Sequence, residues 1–537
     1  MFQYIRLVSL SNGRLEAGMK LFTEKSIRFF IFSILLIAFA ALPGCKGDDK
    51  NVGTETVSGT DKFSTETESH AILSQSGENT VIWKIYFSDY IEIWQAPLNR
   101  LLAEKGAPYR VKIEAYHEVG EDSPEDAADT LEKMKQTNEQ ADVVAVPDSI
   151  YTTMADRGLL LPLDDFLESE QGTEIVNVLP ARDLARCRYD GVTYGVSAHL
   201  RTVGAIAYDK RLLEKYDIDV SELSSDIFEN EAVLQRVKDG EQGKVIPYAY
   251  NDEILYELGM WKVNPVECLA YTQAGEAVNI FETEELKEML FKLKDFKDKG
   301  LLGFVSESGF GPFFAISEIA HREDPFENNF SYVNKEGQEV TVQSIVVPDM
   351  ERPQIAPFWG DTQTAIASWS KNRENALDFL TRLYTDPDIA NLILYGSEGK
   401  EYTIHDNVVT RLPFNSLWVL GEHYTNALIA YPQNNTAADK MAFQTRYYEQ
   451  CEPNIPDGFR FDPTPVMAEV DATNAVYYAG IEEKELSSEV RDLFHLKSAD
   501  IDDALSEINR KLRAAGMDKI IEEFNRQLTE WRANYER

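Results

Sequence analysis

Side chains suited to closing around a polar ring recur along this chain, whereas constellations that break bonds do not. Tyr90, Trp261 and Trp359 offer flat apolar faces, and Asp148, His199, Arg201, Asn251, Asp252 and Asp361 offer groups that exchange hydrogen bonds with hydroxyls. Together they fit reversible capture of a small polyhydroxylated solute. Catalysis has no comparable signal: there is no Gly-x-Ser-x-Gly elbow, no His-Glu-x-x-His and no phosphate-binding glycine loop. Two carboxylates about 5 to 10 Å apart would serve a glycoside hydrolase. With 91 acidic residues, such pairs can be drawn anywhere. Apart from Cys45, the cysteines are Cys187, Cys268 and Cys451, an odd number at wide spacing that suggests neither a disulfide framework nor a zinc site. No metal and no cofactor is expected.

Lys20, Lys25 and Arg28 precede an uncharged, mostly apolar run over residues 29–42, which is shorter than the roughly 20 residues a membrane-spanning helix needs. The run ends in Leu42-Pro43-Gly44-Cys45 and resembles a bacterial lipoprotein signal, with Met19 a tighter start than Met1. That resemblance implies removal of residues 1–45, acylation of Cys45 and an extracytoplasmic chain held to the membrane by lipid. Residues 46–80 are rich in Ser, Thr, Gly, Asp and Glu and cannot bury enough apolar surface to fold, so they read as a tether. The formal charge of −38 becomes three units more negative without the signal, which loses five basic and two acidic residues. A surface this acidic repels phosphate backbones and excludes nucleic acid as a partner.

The folded part begins with strand–helix alternation. Residues 80–87 read as a strand, and Ile91, Trp94, Leu98, Leu101 and Leu102 recur at helical spacing before Gly106. Residues 109–116 alternate as a second strand, 124–140 form a polar amphipathic helix, and 141–146 a buried third strand. The order β-α-β-α-β implies a parallel sheet with right-handed crossovers. Ligands of such sheets bind outside the carboxyl ends of the strands, which singles out the loops 88–90 and 147–149. Further on, residues 283–299 predict a helix capped by Thr283 and ended at Gly300. Two more helices, 375–384 and 387–394, break at Asp386-Pro387, and 499–535 is helical with an interruption at Gly516.

In order along the chain, several segments are similar to the maltose-binding-protein-like extracellular solute-binding proteins of ABC importers, in particular the large lipoproteins of Gram-positive bacteria. They are Ala141-Asp142-Val143-Val144, the turn Gly158-Leu159-Leu160-Leu161-Pro162-Leu163-Asp164, the hairpin Asp190-Gly191-Val192-Thr193-Tyr194-Gly195-Val196, and Tyr208-Asp209-Lys210-Arg211-Leu212-Leu213. Later come Tyr395-Gly396-Ser397-Glu398-Gly399-Lys400, Gly458-Phe459-Arg460-Phe461-Asp462 and a C-terminal stretch ending near Trp531.

The resemblance implies a two-lobed α/β fold of the periplasmic-binding-protein type II class, with an interlobe cleft and a helical C-terminal segment. It places lobe one at 81–200 with 345–385 returning, and lobe two at 201–344 with 386–537. It also places His199, Arg201, Asn251, Asp252, Trp261, Trp359 and Asp361 near the cleft, beside Tyr90 and Asp148. His199 and Trp359-Gly360-Asp361 depart from the family pattern in cleft-lining regions. The implied function is lipid-anchored, non-enzymatic delivery of a carbohydrate to ABC permease subunits by a monomer. Peptide binding is the runner-up, with a secreted carbohydrate-active enzyme or a surface scaffold behind it.

Overall fold

β-Branched and aromatic residues open the described chain: Thr80–Ile85 (β1) is buried from Val81 onward. Its Trp83 is ringed by Trp94, Phe379 and Tyr424 at centroid separations of 6.3, 5.4 and 5.9 Å. The computed structural model describes residues 79–86, 91–117, 124–198, 200–224, 226–250, 261–263, 265–272, 275–304, 311–333, 337–350, 362–412, 421–450, 456–479 and 486–535. Helix Ile91–Glu104 turns Trp94, Leu98 and Leu102 into the core around Trp83. There follow β2 (Arg110–Ala115), helix Pro124–Thr137 and β3 (Val143–Pro147). β1 runs parallel to both β2 and β3, as the alternation requires.

Past β4 (Gly195–Val196) the chain leaves this sheet and builds a second one. Its strands are β5 (Val203–Asp209), β6 (Ile246–Ala249), β7 (Leu302–Gly303), β8 (Pro312–Ala320), β9 (Phe326–Val333) and β10 (Glu339–Pro348). The chain then returns as β11 (Thr362–Ile366), which inserts antiparallel between β3 and β4. The sheet orders are β2-β1-β3-β11-β4 and β7-β6-β8-β5-β10-β9. Each sheet has its own apolar cores, so the chain forms two α/β lobes joined by crossing segments. A small antiparallel sheet of Trp261–Val263, Val266–Tyr271 and Ala277–Asn279 is added to the second lobe.

Local chemistry sets the helix ends. Thr283 Oγ1 accepts from the Leu286 amide at 3.3 Å to start helix Glu284–Asp298, and Gly300 at φ +66 follows its end. Helices Arg373–Thr385 and Pro387–Tyr395 meet at Asp386, whose carboxylate accepts from the Asp388 and Ile389 amides while Pro387 sits at the first helical turn. Gly516, at φ +104, separates helices Ile501–Ala515 and Met517–Tyr535.

The lobe boundaries differ from the sequence expectation, and Tyr424, expected in the second lobe, lies in the core of the first. Segment 345–350 does not belong to the first lobe, because β10 pairs along its length with β9 and with β5. Helix Pro387–Tyr395, assigned by sequence to the second lobe, places Ile389, Leu392 and Ile393 in the core of the first, beside Leu98 and Leu102. The C-terminal helices do pack on lobe two: Val470, Leu493, Phe494, Leu512 and Phe524 share a core with Tyr271, Phe281 and Leu290. Among the described residues no helix is long and apolar enough to cross a membrane. Cys45, expected from sequence as the lipidation residue, and the expected signal and tether lie outside the described residues, apart from Asn79 and Thr80.

Candidate functional site

Register brings one end of each sheet toward the crossings. In the first sheet Ile85 pairs with Ala115, Pro147 with Thr362, and Val196 with Thr364, so the carboxyl ends of β1, β2, β3 and β4 meet the amino end of β11. In the second, the carboxyl end of β8 lies beside the amino end of β5, where Ala320 pairs with Val203, and β6 and β7 run in the same direction as β8. Both sets of strand ends therefore face the segment 197–202 that joins the lobes. Just past β10, the Asp349 amide donates to the Gly204 carbonyl of β5 at 2.7 Å.

At the carboxyl ends of β1 and β2, the rings of Tyr86 and His117 stack at 4.5 Å with planes 17° apart. Tyr116 meets Tyr86 edge-on at 5.8 Å and is fixed from below by its hydroxyl donating to the Ala145 carbonyl at 2.7 Å. Tyr86 and His117 are both half-buried, so the stack keeps an accessible side. In lobe two, Tyr250 and Phe304 follow β6 and β7 and meet edge-on at 5.5 Å. His495, from the C-terminal helices, stacks on Phe304 at 5.2 Å.

Asp148 and Arg201 lie where sequence placed them, at the end of β3 and on the first crossing, and both are engaged inside the protein. Asp148 accepts from Gln363 Nε2 at 3.0 Å and is ion-paired with Arg460, whose guanidinium also lies 5.1 Å from the Tyr151 ring. Arg201 is buried; its Nε donates to the Tyr448 hydroxyl at 2.9 Å and its Nη2 to Asp183 at 3.0 Å, while its amide donates to Gln444 at 2.9 Å. The two residues are ends of one network. Arg460 Nη2 donates to the Arg186 carbonyl at 3.2 Å, Asp457 pairs with Arg182 at 2.8 Å, and Arg182 Nη1 donates to the Tyr448 carbonyl at 3.2 Å. Burial is the largest influence on Tyr448 and pushes its phenol well above the usual range, so it acts as a neutral partner. Burial likewise pushes His321 down to about 4, leaving a neutral ring whose Nδ1 lies 3.0 Å from the Arg201 carbonyl.

The remaining sequence candidates are placed only in part. Trp261 is in the small antiparallel sheet, opposite Tyr271, and its side chain is outside the described residues. Tyr90, His199, Asn251, Asp252, Trp359 and Asp361 lie outside the described residues. In sequence Asn251 and Asp252 directly follow Tyr250 at the end of β6, and Asp361 directly precedes β11. Sequence reasoning missed Tyr86 and His117. Both sit one or two residues past a strand end, so the rule that singled out 88–90 reaches them if its window opens at the last strand residue. Among the described residues no cluster of His, Cys, Asp and Glu could hold a metal ion.

Comparison with known proteins agrees with this architecture. Residues 109–397 match the family model described as bacterial extracellular solute-binding protein, and residues 456–533 match a domain of unknown function (DUF3502). A carbohydrate ABC transporter substrate-binding protein of Streptococcus pneumoniae serotype 4 is 22% identical over 486 residues, covering 86% of this chain and 93% of that protein. Among solved structures, the N-glycan transport solute binding protein NgtS of Streptococcus pneumoniae superposes with a TM-score of 0.59 at 19% identity, covering 84% of this chain and 99% of that one. An extracellular solute-binding protein of Bifidobacterium longum subsp. infantis superposes with a TM-score of 0.52 at 13% identity, covering 85% and 99%. The family match spans more than half of the sequence and covers strands of both lobes and both crossings, so the chain belongs to the bacterial extracellular solute-binding proteins.

Proposed function

We propose that this protein captures an oligosaccharide between its two sets of strand ends and presents it to the permease subunits of an ABC importer. The observation that carries the reading is the half-buried Tyr86–His117 stack at the carboxyl ends of β1 and β2. Such a face takes the apolar side of a sugar ring, and hydroxyl-binding groups follow from the neighbouring loops. We assign His199, Asn251, Asp252 and Asp361 to that second task, and Tyr90, Trp261 and Trp359 to further contact with ring faces. Asp148 and Arg201 hold the floor beneath it through Arg460 and Asp183.

The Streptococcus pneumoniae relative is named for carbohydrate transport, and NgtS has been solved with Man1GlcNAc bound. Both names favour a sugar over a peptide. Closure of the lobes over the ligand needs no chemistry, only tighter binding by the closed form; a micromolar ligand supplies about 8 kcal/mol at standard state. We further assign Cys45 as the acylated residue that ties a monomeric protein to the outer face of the membrane, with 46–80 as its tether.

Thermal shift against a library of oligosaccharides and peptides tests the ligand class. A cleft ligand at a hundred times its Kd adds about 2.7 kcal/mol of stability. The reading expects sugars to raise the melting temperature, and it fails if only peptides do. For the anchor, Cys45→Ala abolishes fatty-acid labelling; unchanged labelling removes that assignment.

A further inference from the structure

The C-terminal region touches the two lobes by different chemistry. Toward lobe two it is core: Val490, Leu493, Ile508, Leu512, Ile520, Phe524 and their neighbours lie in one apolar cluster with residues of the second lobe. Toward lobe one it is a short charged segment at its entrance. Asp457 pairs with Arg182 at 2.8 Å, and Arg460 pairs with Asp148 and donates to the Arg186 carbonyl at 3.2 Å. Gly458, at φ +93, lies so close to lobe one that a Cβ there would come within 3.1 Å of the Ala185 carbonyl oxygen. At the other end of the region, the Tyr535 ring lies 3.2 Å from where a Cβ on Gly191 would stand, and Gly191 is in the lobe-one hairpin.

Those two interfaces respond differently when the lobes move. A packed apolar core resists sliding because its side chains interdigitate. The C-terminal helices therefore travel with lobe two, and the contacts that must give way are those to lobe one: the two ion pairs, the Arg460 bond to the Arg186 carbonyl and the packing of Tyr535 on Gly191. We propose that the pairs Arg182–Asp457 and Asp148–Arg460 form a latch by which the C-terminal module sets the angle between the lobes. The latch acts in the ligand-free protein. Its test therefore stands or falls separately from the carbohydrate reading.

The experiment measures interlobe distances in the ligand-free full chain, with labels on exposed Lys133 of lobe one and exposed Asp239 of lobe two. In Asp457→Asn/Arg460→Gln, the distance distribution is expected to broaden. Amide exchange of 181–196 and 456–462 should rise on the order of 10- to 100-fold, while helix Ile501–Ala515 keeps its protection. A charge-keeping variant guards against a simple folding defect, because the Arg182–Asp457 pair is partly accessible. Arg182→Asp opposes two carboxylates and should broaden the distribution, whereas Arg182→Lys keeps the charge facing Asp457 and should leave it near that of the wild type. An unchanged distribution in folded Arg182→Asp, or equal broadening in Arg182→Lys, overturns the latch.

Discussion

The two lobes complete their cores differently. Lobe one is self-contained without the chain's last helices: Trp83, Trp94, Val143, Phe379 and Leu383 come from its own sheet, its flanking helices and the return segment, and Tyr424 from the stretch beyond helix Pro387–Tyr395. Lobe two takes part of its core from the chain's last helices, where Leu512, Ile520, Phe524 and Leu528 lie with Tyr248, Tyr271 and Leu290. The difference shows that the C-terminal region, although a separate family model covers residues 456–533, is part of the second lobe's fold.

Deleting residues 488–535 breaks that comparison most severely. The apolar cluster around Tyr271, Phe281 and Leu290 loses its cover, so β5 should lose hydrogen-exchange protection while β3 in lobe one keeps it. Equal loss in both lobes would mean that lobe one is not self-contained. On a smaller scale, Phe524→Ala should lower the stability of lobe two by about 3 to 5 kcal/mol in denaturant titration, and Trp83→Ala should do the same to lobe one. Two probes, one per lobe, should separate the transitions.

His321 sits between the lobes' crossing and the C-terminal half of the chain, its Nδ1 near the Arg201 carbonyl and its backbone bonded to Asn435 and Ala437. Its folded pKa of about 4, lowered first by burial and then by the nearby Lys440 charge, lies below the 6.5 of an ordinary histidine. The unfolded chain therefore binds the proton more readily, so stability present above pH 6.5 is lost as pH falls toward 4. The contribution is about 3 kcal/mol. His321→Gln should flatten the pH dependence of the melting temperature in that window; an unaltered slope would contradict the assignment. At the small end, Thr283→Ala removes the cap of helix Glu284–Asp298 and should lower lobe-two stability by about 1 kcal/mol in the same titration.

Period and capping made much of the fold legible. β1 to β3 with their helices, the Thr283 cap, the Asp386-Pro387 break and the Gly516 interruption all depend on neighbours within a few residues. What escaped depends on distant partners. Helix Pro387–Tyr395 reads as helix but not as a part of lobe one, because nothing in its own residues names helix Ile91–Glu104 as its neighbour. Arg460 is recognisable within a motif, yet its partner Asp148 is 312 residues away. The same distance explains why Asp148 and Arg201 read as ligand groups: burial against Arg460 and Asp183 cannot be seen from spacing. Tyr86 and His117 become a platform only when β1 and β2 pair in register.

Sugar binding on the proposed Tyr86–His117 face is tested most directly by titration calorimetry of the wild type and Tyr86→Ala with one oligosaccharide panel. The wild type should show one saturable sugar site, weakened roughly 2- to 12-fold by Tyr86→Ala, which removes about 0.5 to 1.5 kcal/mol of ring contact. Peptide binding with no sugar binding, or a sugar affinity that Tyr86→Ala leaves unchanged, would contradict it.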